Sequence, residues 1–162
     1  MELQTSRFGE ISVDLNKEVI FAEGLPGFPE VKRFVLLQRQ EDAPFFWLQA
    51  VEGPDVAFLL VSPPDFSLDY RPQVPEADLK ALDLESFGDG HLFLVAVVPE
   101  NPLEMTVNMR APVIINPAKR TGRQLILGDD SYPMRYPMFE ALKGLVASAG
   151  SDQEAQRKHS HR

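Results

Sequence analysis

The chain has 162 residues, a formal net charge of −8, 44% hydrophobic and 25% charged residues, and no cysteine. That length predicts a single domain with a sizeable core. The composition excludes disulfides, thiolate nucleophiles and cysteine metal sites, and no apolar run approaches the roughly 18 residues of a membrane span.

The opening "MELQTSRFGE" has no basic start followed by an apolar stretch. A signal peptide is therefore not expected, and the expected location is the cytoplasm. Short runs rich in Val, Ile and Phe follow, bounded by Gly, Pro, Asn and Asp, and these predict strands. They are "EISVDL" (10–15), "EVIFA" (18–22), "RFVLL" (33–37), "FFWLQAV" (45–51), "AFLLV" (57–61), "LFLVAVV" (92–98), "MTVNM" (105–109), "VIIN" (113–116) and "QLIL" (124–127). "LFLVAVV" is apolar throughout, as a strand buried on both faces or set in a barrel wall would be.

Between the second and third runs lies "AEGLPGFPE" (22–30), which holds Leu25 and Phe28 in a frame of Gly and Pro. Turns are usually polar, so this one either folds back as a plug over one end of a barrel or presents a docking patch. The plug is the preferred reading. Two segments carry helical signals. "VPEADLKALDL" (74–84) has Pro75 and acidic residues at its start, and 137–149 repeats Met138, Leu142, Leu145 and Val146 on one face. Residues 150–162 have no large apolar side chain and read as a disordered tail. The expected fold is mainly β: a small, single-domain, barrel-like β fold over residues 1–149, with two short helices.

From Ser148 onward the tail carries +1, so the body is near −9. Such a body repels phosphate backbones, and direct binding to RNA or DNA is not expected. It suits a basic protein partner, although acidity also serves solubility alone. Of three histidines, two lie in the tail, and His91 in "GDGHLFL" has no carboxylate or serine partner in any local pattern. The pairs Glu41-Asp42 and Asp129-Asp130 read as solvated loop charge. Lys119, Arg120 and Arg123 around Thr121-Gly122 read as a hairpin turn, with an anion site as the alternative. No catalytic residue, metal site or cofactor is predicted.

"MTVNMRAPVIIN" (105–116) interrupts two strands with Arg110-Ala111-Pro112. Pro112 cannot donate to a ladder, so this stretch is either an irregular edge open to another chain or a bulge satisfied internally. "PPDFSLDYRP" (63–72) places Phe66 and Tyr70 on a proline-rich loop, as interface anchors or as lids over a barrel end.

In this order the segments resemble the FliW family of flagellar assembly factors. The matching residues are "GLPGF" (24–28), "FVLL" (34–37), Pro44, Phe45, Leu48 and Gln49, and "DVAFLLVSP" (55–63). They continue through "DY" (69–70), "T-x-N-x-x-APVIIN" (106–116) and "G-x-Q-x-IL" (122–127), with Met109 where the family usually has Leu. The resemblance implies a non-enzymatic regulator that binds the translational repressor CsrA and, in competition, flagellin, coupling flagellin synthesis to export. Loop aromatics, the irregular edge and the motif positions together point to partner contacts at Phe66, Asp69, Tyr70, Asn108, Met109, Pro112 and Asn116, and a monomer is expected. The alternatives are a small-ligand barrel, a hydrolase using His91, and a chaperone for flagellin alone.

Overall fold

The computed structural model describes residues 2–25, 27–52, 54–128 and 131–144. The C-terminal tail, Asp129-Asp130 and the predicted helical residues 145–149 lie outside them. The strands are β1 (Glu2–Thr5), β2 (Gly9–Ser12), β3 (Glu18–Phe21), β4 (Arg33–Leu37), β5 (Phe46–Ala50) and β6 (Ala57–Val61). Helix α1 (Glu76–Ala81) precedes β7 (His91–Val97), β8 (Thr106–Val107), β9 (Val113–Asn116), β10 (Thr121–Gln124) and β11 (Tyr136–Pro137), and a helical segment occupies 139–144.

The main sheet runs β7-β6-β5-β4-β3-β10-β9 and closes by pairing β9 with β7. These are seven strands in a closed barrel, accompanied among the described residues by two short α-helical segments. All pairings around the ring are antiparallel except β3 with β10, which is parallel over Thr121↔Ile20 and Gly122↔Phe21. Closure removes the exposed edges that an open sheet of apolar strands would present.

Alternation along each strand sorts side chains to the two faces of the wall. Phe34, Leu60, Phe93, Val113 and Ile115 belong to the central core with Phe21 and Leu48, whereas their chain neighbours Val35, Val61, Leu94 and Ile114 belong to three other clusters. The outside of the barrel is therefore apolar in three places, and each has its own cover. The β1–β2 hairpin lays Leu3 and Ile11 on Val35 and Val51. The chain after α1 lays Leu82 and Leu84 on Ile114 and Leu125. The loop after β6, with β8 and the segment 138–142, covers Val61 and Leu94.

The Gly-Pro turn folds inward. Leu25 is buried within the central core, and Phe28 meets Phe58 edge-on at 6.0 Å. Gly24 has φ +65°, and a β-carbon there would stand 2.6 Å from the Pro29 carbonyl oxygen, so no side chain fits.

Several boundaries differ from the sequence reading. Helix α1 is only Glu76–Ala81, because the chain turns at Asp83 with φ 57°. The second helix starts at 139 and not at 137, because Tyr136 and Pro137 pair with Val107 and Thr106. The strand expected at 124–127 is assigned at Thr121–Gln124, because the turn before it is tight and pairing resumes at Thr121↔Asn116. The strand "LFLVAVV" is buried only in its middle, and Val97 and Val98 are 64% and 45% exposed.

Candidate functional site

Strands β8 and β9 lie along one edge of β7, through Ala96↔Val107 and Val97↔Thr106 on one side and His91↔Ile115 to Phe93↔Val113 on the other. They are one strand interrupted by a bulge at 108–112. The bulge is satisfied internally, so the open-edge alternative does not hold. The amide of Asn108 donates to the Val95 carbonyl, that of Met109 to Pro133, and the amides of Leu125 and Leu127 donate to the carbonyls of Pro112 and Arg110. Asn108 Oδ1 accepts from the amides of Arg110 and Ala111 at 3.0 and 3.2 Å, and Gln124 Nε2 donates to the Ala111 carbonyl at 2.9 Å.

Tyr70 ties the proline-rich loop to this bulge. Its hydroxyl donates to the Met109 carbonyl, and its ring meets that of Tyr132 at 5.1 Å. Burial raises the Tyr70 phenol well above its ordinary range, with Tyr132 adding to the effect. Tyr132 in turn donates to the Arg71 carbonyl at 3.0 Å and accepts at its own carbonyl from Arg110 Nε at 2.9 Å. The loop begins with a 3-10 turn at Pro63–Phe66 closed by Ser67 at φ 56°, which drives Phe66 inward against Phe45 at 5.0 Å.

Of the seven predicted contact residues, Phe66, Tyr70 and Met109 come together in one cluster, with Asn108 beside them in the bulge. Asp69 is exposed and paired with the equally exposed Arg71. Phe66, Met109, Pro112 and Asn116 are buried, not exposed as the loop and edge reading expected, although Phe66 also lines an open cleft beside the loop. Asn116 also lies apart from the others. Its Nδ2 donates to the Leu82 carbonyl at 2.7 Å, and its Oδ1 accepts from the amides of Ala118 and Lys119 at 3.0 and 3.2 Å. Of the seven, Asp69 is exposed, and Tyr70 and Asn108 are half-buried. An open cleft of about 860 Å³ lies between residues 65–68 and Tyr136, Pro137, Phe139 and Glu140.

His91 stacks on Phe93 at 4.1 Å and meets Phe46 edge-on at 6.1 Å, and burial pushes its pKa down. That is an aromatic packing role. Among the described residues, no group of three or more His, Asp or Glu is placed to hold a metal ion, and no helix is long and apolar enough to cross a membrane. Arg123, read as part of a turn, bridges Asp78 at 2.9 Å and Glu23 at 3.3 Å.

Sequence reasoning missed a second surface. A cleft of about 650 Å³ is lined by Phe45, Trp47, Ala57, Phe58, Leu59, Ala96, Val98 and Met105, with Arg7, Glu41, Asp42 and Ala43 also at its wall. It gathers segments far apart in the chain, and its one sequence signal is an apolar run, "LFLVAVV", longer than the burial it receives.

The model of the FliW protein family matches residues 2–138. The flagellar assembly factor FliW of Caldicellulosiruptor saccharolyticus is 40% identical over 139 residues, covering 86% of this chain and 91% of that one. The factor of the same name from Caldanaerobacter subterraneus is 38% identical over 150 residues, covering 92% and 100%. A crystal structure of the flagellar assembly factor FliW superposes with a TM-score of 0.79 at 33% identity, covering 86% of this chain and 97% of that one.

Proposed function

The chain belongs to the FliW family, and on that premise we propose that it is a non-enzymatic flagellar assembly factor acting by protein binding in the cytoplasm. It captures the translational repressor CsrA and, in competition, flagellin. While flagellin is abundant the chain is occupied and CsrA represses; once flagellin is exported, the chain sequesters CsrA and translation resumes. The observation that carries the reading is correspondence over nearly the whole described chain to relatives named flagellar assembly factors. The net charge of −8 supports a basic partner through electrostatic steering. The partner surface proposed is Asp69, Tyr70 and Asn108, held in place by the buried Phe66, Met109 and Pro112, with Asn116 bracing the neighbouring hairpin.

Such a switch needs only a modest difference in binding free energy, since about 1.4 kcal/mol is tenfold in affinity. Size-exclusion chromatography of the purified chain with CsrA, and separately with flagellin, tests the reading. Co-migration with both is expected. Co-migration with flagellin alone would leave a flagellin chaperone, and co-migration with neither would end the proposal.

A further inference from the structure

The β5–β6 ladder runs from Phe46↔Leu60 down to Gln49↔Ala57, but the β6–β7 ladder stops after Leu60↔Val95. Beyond that point no ladder pair joins the two strands, and Ala57, Phe58 and Leu59 of one and Ala96 and the following Val98 of the other line the 650 Å³ cleft. The split lies between two covers of the barrel wall. On one side is the β1–β2 hairpin, whose Arg7 stacks over Trp47 at 4.3 Å and whose Phe8 meets Trp47 edge-on at 5.7 Å. On the other is the 3-10 turn Pro102–Glu104 leading into β8. The cleft floor is apolar, and Val97, Val98 and Leu103 extend that character onto open surface at 64%, 45% and 46% exposure.

Arg7 brings one positive charge to the cleft at Trp47, and the other charges around the rim are unequal. Arg39 on the hairpin side is matched by Asp42 at 2.6 Å and Glu41 at 3.4 Å. On the β7 side, residues 81–109 contain five acidic residues and no lysine or arginine. Two of those acids, Glu100 and Glu104, flank the exposed Val98 and Leu103 and pair with no cation among the described residues.

The geometry points to this split as a docking site for an extended segment of a basic protein, with apolar side chains alternating with lysine or arginine. An extended chain fits an opening between two strands, where it adds pairing and sets alternate side chains on Trp47, Leu59, Val98 and Met105. Its outward lysines or arginines meet Glu100 and Glu104. This goes beyond the family reading, because it places a second surface away from Tyr70 and defines its occupant by chemistry.

Trp47 is the only tryptophan, so its emission reports on the cleft directly. The probes are a short synthetic peptide alternating Lys and Val, the same peptide with Glu for Lys, and one with Ser for Val. Saturable change in Trp47 emission with the Lys–Val peptide is expected, with at least tenfold weaker binding of the other two. Glu100→Lys combined with Glu104→Lys, and separately Val98→Asp, should each weaken the Lys–Val peptide at least fivefold at unchanged melting temperature, since all three positions are exposed. No emission change up to millimolar peptide, equal binding of all three peptides, or variants that bind like the parent would each overturn the inference. Loss of CsrA and flagellin co-migration with peptide binding intact would sink the family-based function and leave this site standing.

Discussion

The ring of Phe21 occupies the place where a β-carbon on Gly122 would stand: ring atoms lie 2.4 to 2.7 Å from that position. The two residues are register partners in the one parallel pairing of the barrel, and Phe21 is fully buried. A ring laid across a glycine lets β3 and β10 approach while the core stays filled. Gly122→Ala should destabilise the chain by about 1–3 kcal/mol through overpacking. Gly24→Ala, strained at φ +65° against the Pro29 carbonyl, should cost a similar amount. Gly128→Ala, with nothing within 4 Å of its β-carbon, should stay within about 0.5 kcal/mol. Urea unfolding of the three variants checks the ranking.

Asn116 spends its whole amide on its own chain. Asn116→Ala leaves the Leu82 carbonyl and the amides of Ala118 and Lys119 without their partner. A loss of about 1–3 kcal/mol is expected. Asn116→Asp keeps the acceptor for the two amides and loses the donor to the Leu82 carbonyl, so comparing the two variants by urea unfolding separates the two halves of the bridge. A variant as stable as the parent would contradict this arrangement.

Tyr70→Phe removes the hydroxyl that holds the bulge carbonyl of Met109 and should cost about 1 kcal/mol. The folded-state pKa of Tyr70 is raised by burial. Its contribution is therefore complete below the unfolded phenol pKa near 10 and is lost as pH rises beyond it. Alkaline unfolding followed with and without Tyr70→Phe should show a shallower loss in the variant.

Asp69 and Arg71 form an ion pair that is over four-fifths exposed on both sides, so it adds little to stability. Asp69→Lys should leave the melting temperature unchanged and slow association with CsrA, with the parent rate falling as salt rises. A rate that ignores both salt and the variant would remove the steering argument.

How far the sequence carries can be judged strand by strand. Runs such as "RFVLL", "AFLLV" and "VIIN" match β4, β6 and β9 in both bounds, because each is apolar and flanked by chain-breaking or polar residues. Strands β1, "ELQT", and β11, "YP", were not legible, since their pairing depends on neighbours and not on their own apolar pattern. Barrel closure through His91↔Ile115 joins segments 24 positions apart along the chain, which no local pattern announces. At the site, motif positions singled out Tyr70 and Asn108, which are half-buried, and equally Phe66 and Asn116, which are buried. A motif does not distinguish a residue kept for a partner from one kept for a turn. The cleft beside Trp47 depends on where two strands separate, and exposure of Val97 and Val98 is visible only after folding.

The central claim is that one chain binds CsrA and flagellin in mutual exclusion. Fluorescence anisotropy of labelled CsrA, titrated first with this chain and then with unlabelled flagellin, tests it directly. Anisotropy should rise as the complex forms and fall back to that of free CsrA as flagellin takes the chain. No rise on the first addition, or a further rise on the second from a ternary complex, would contradict the account.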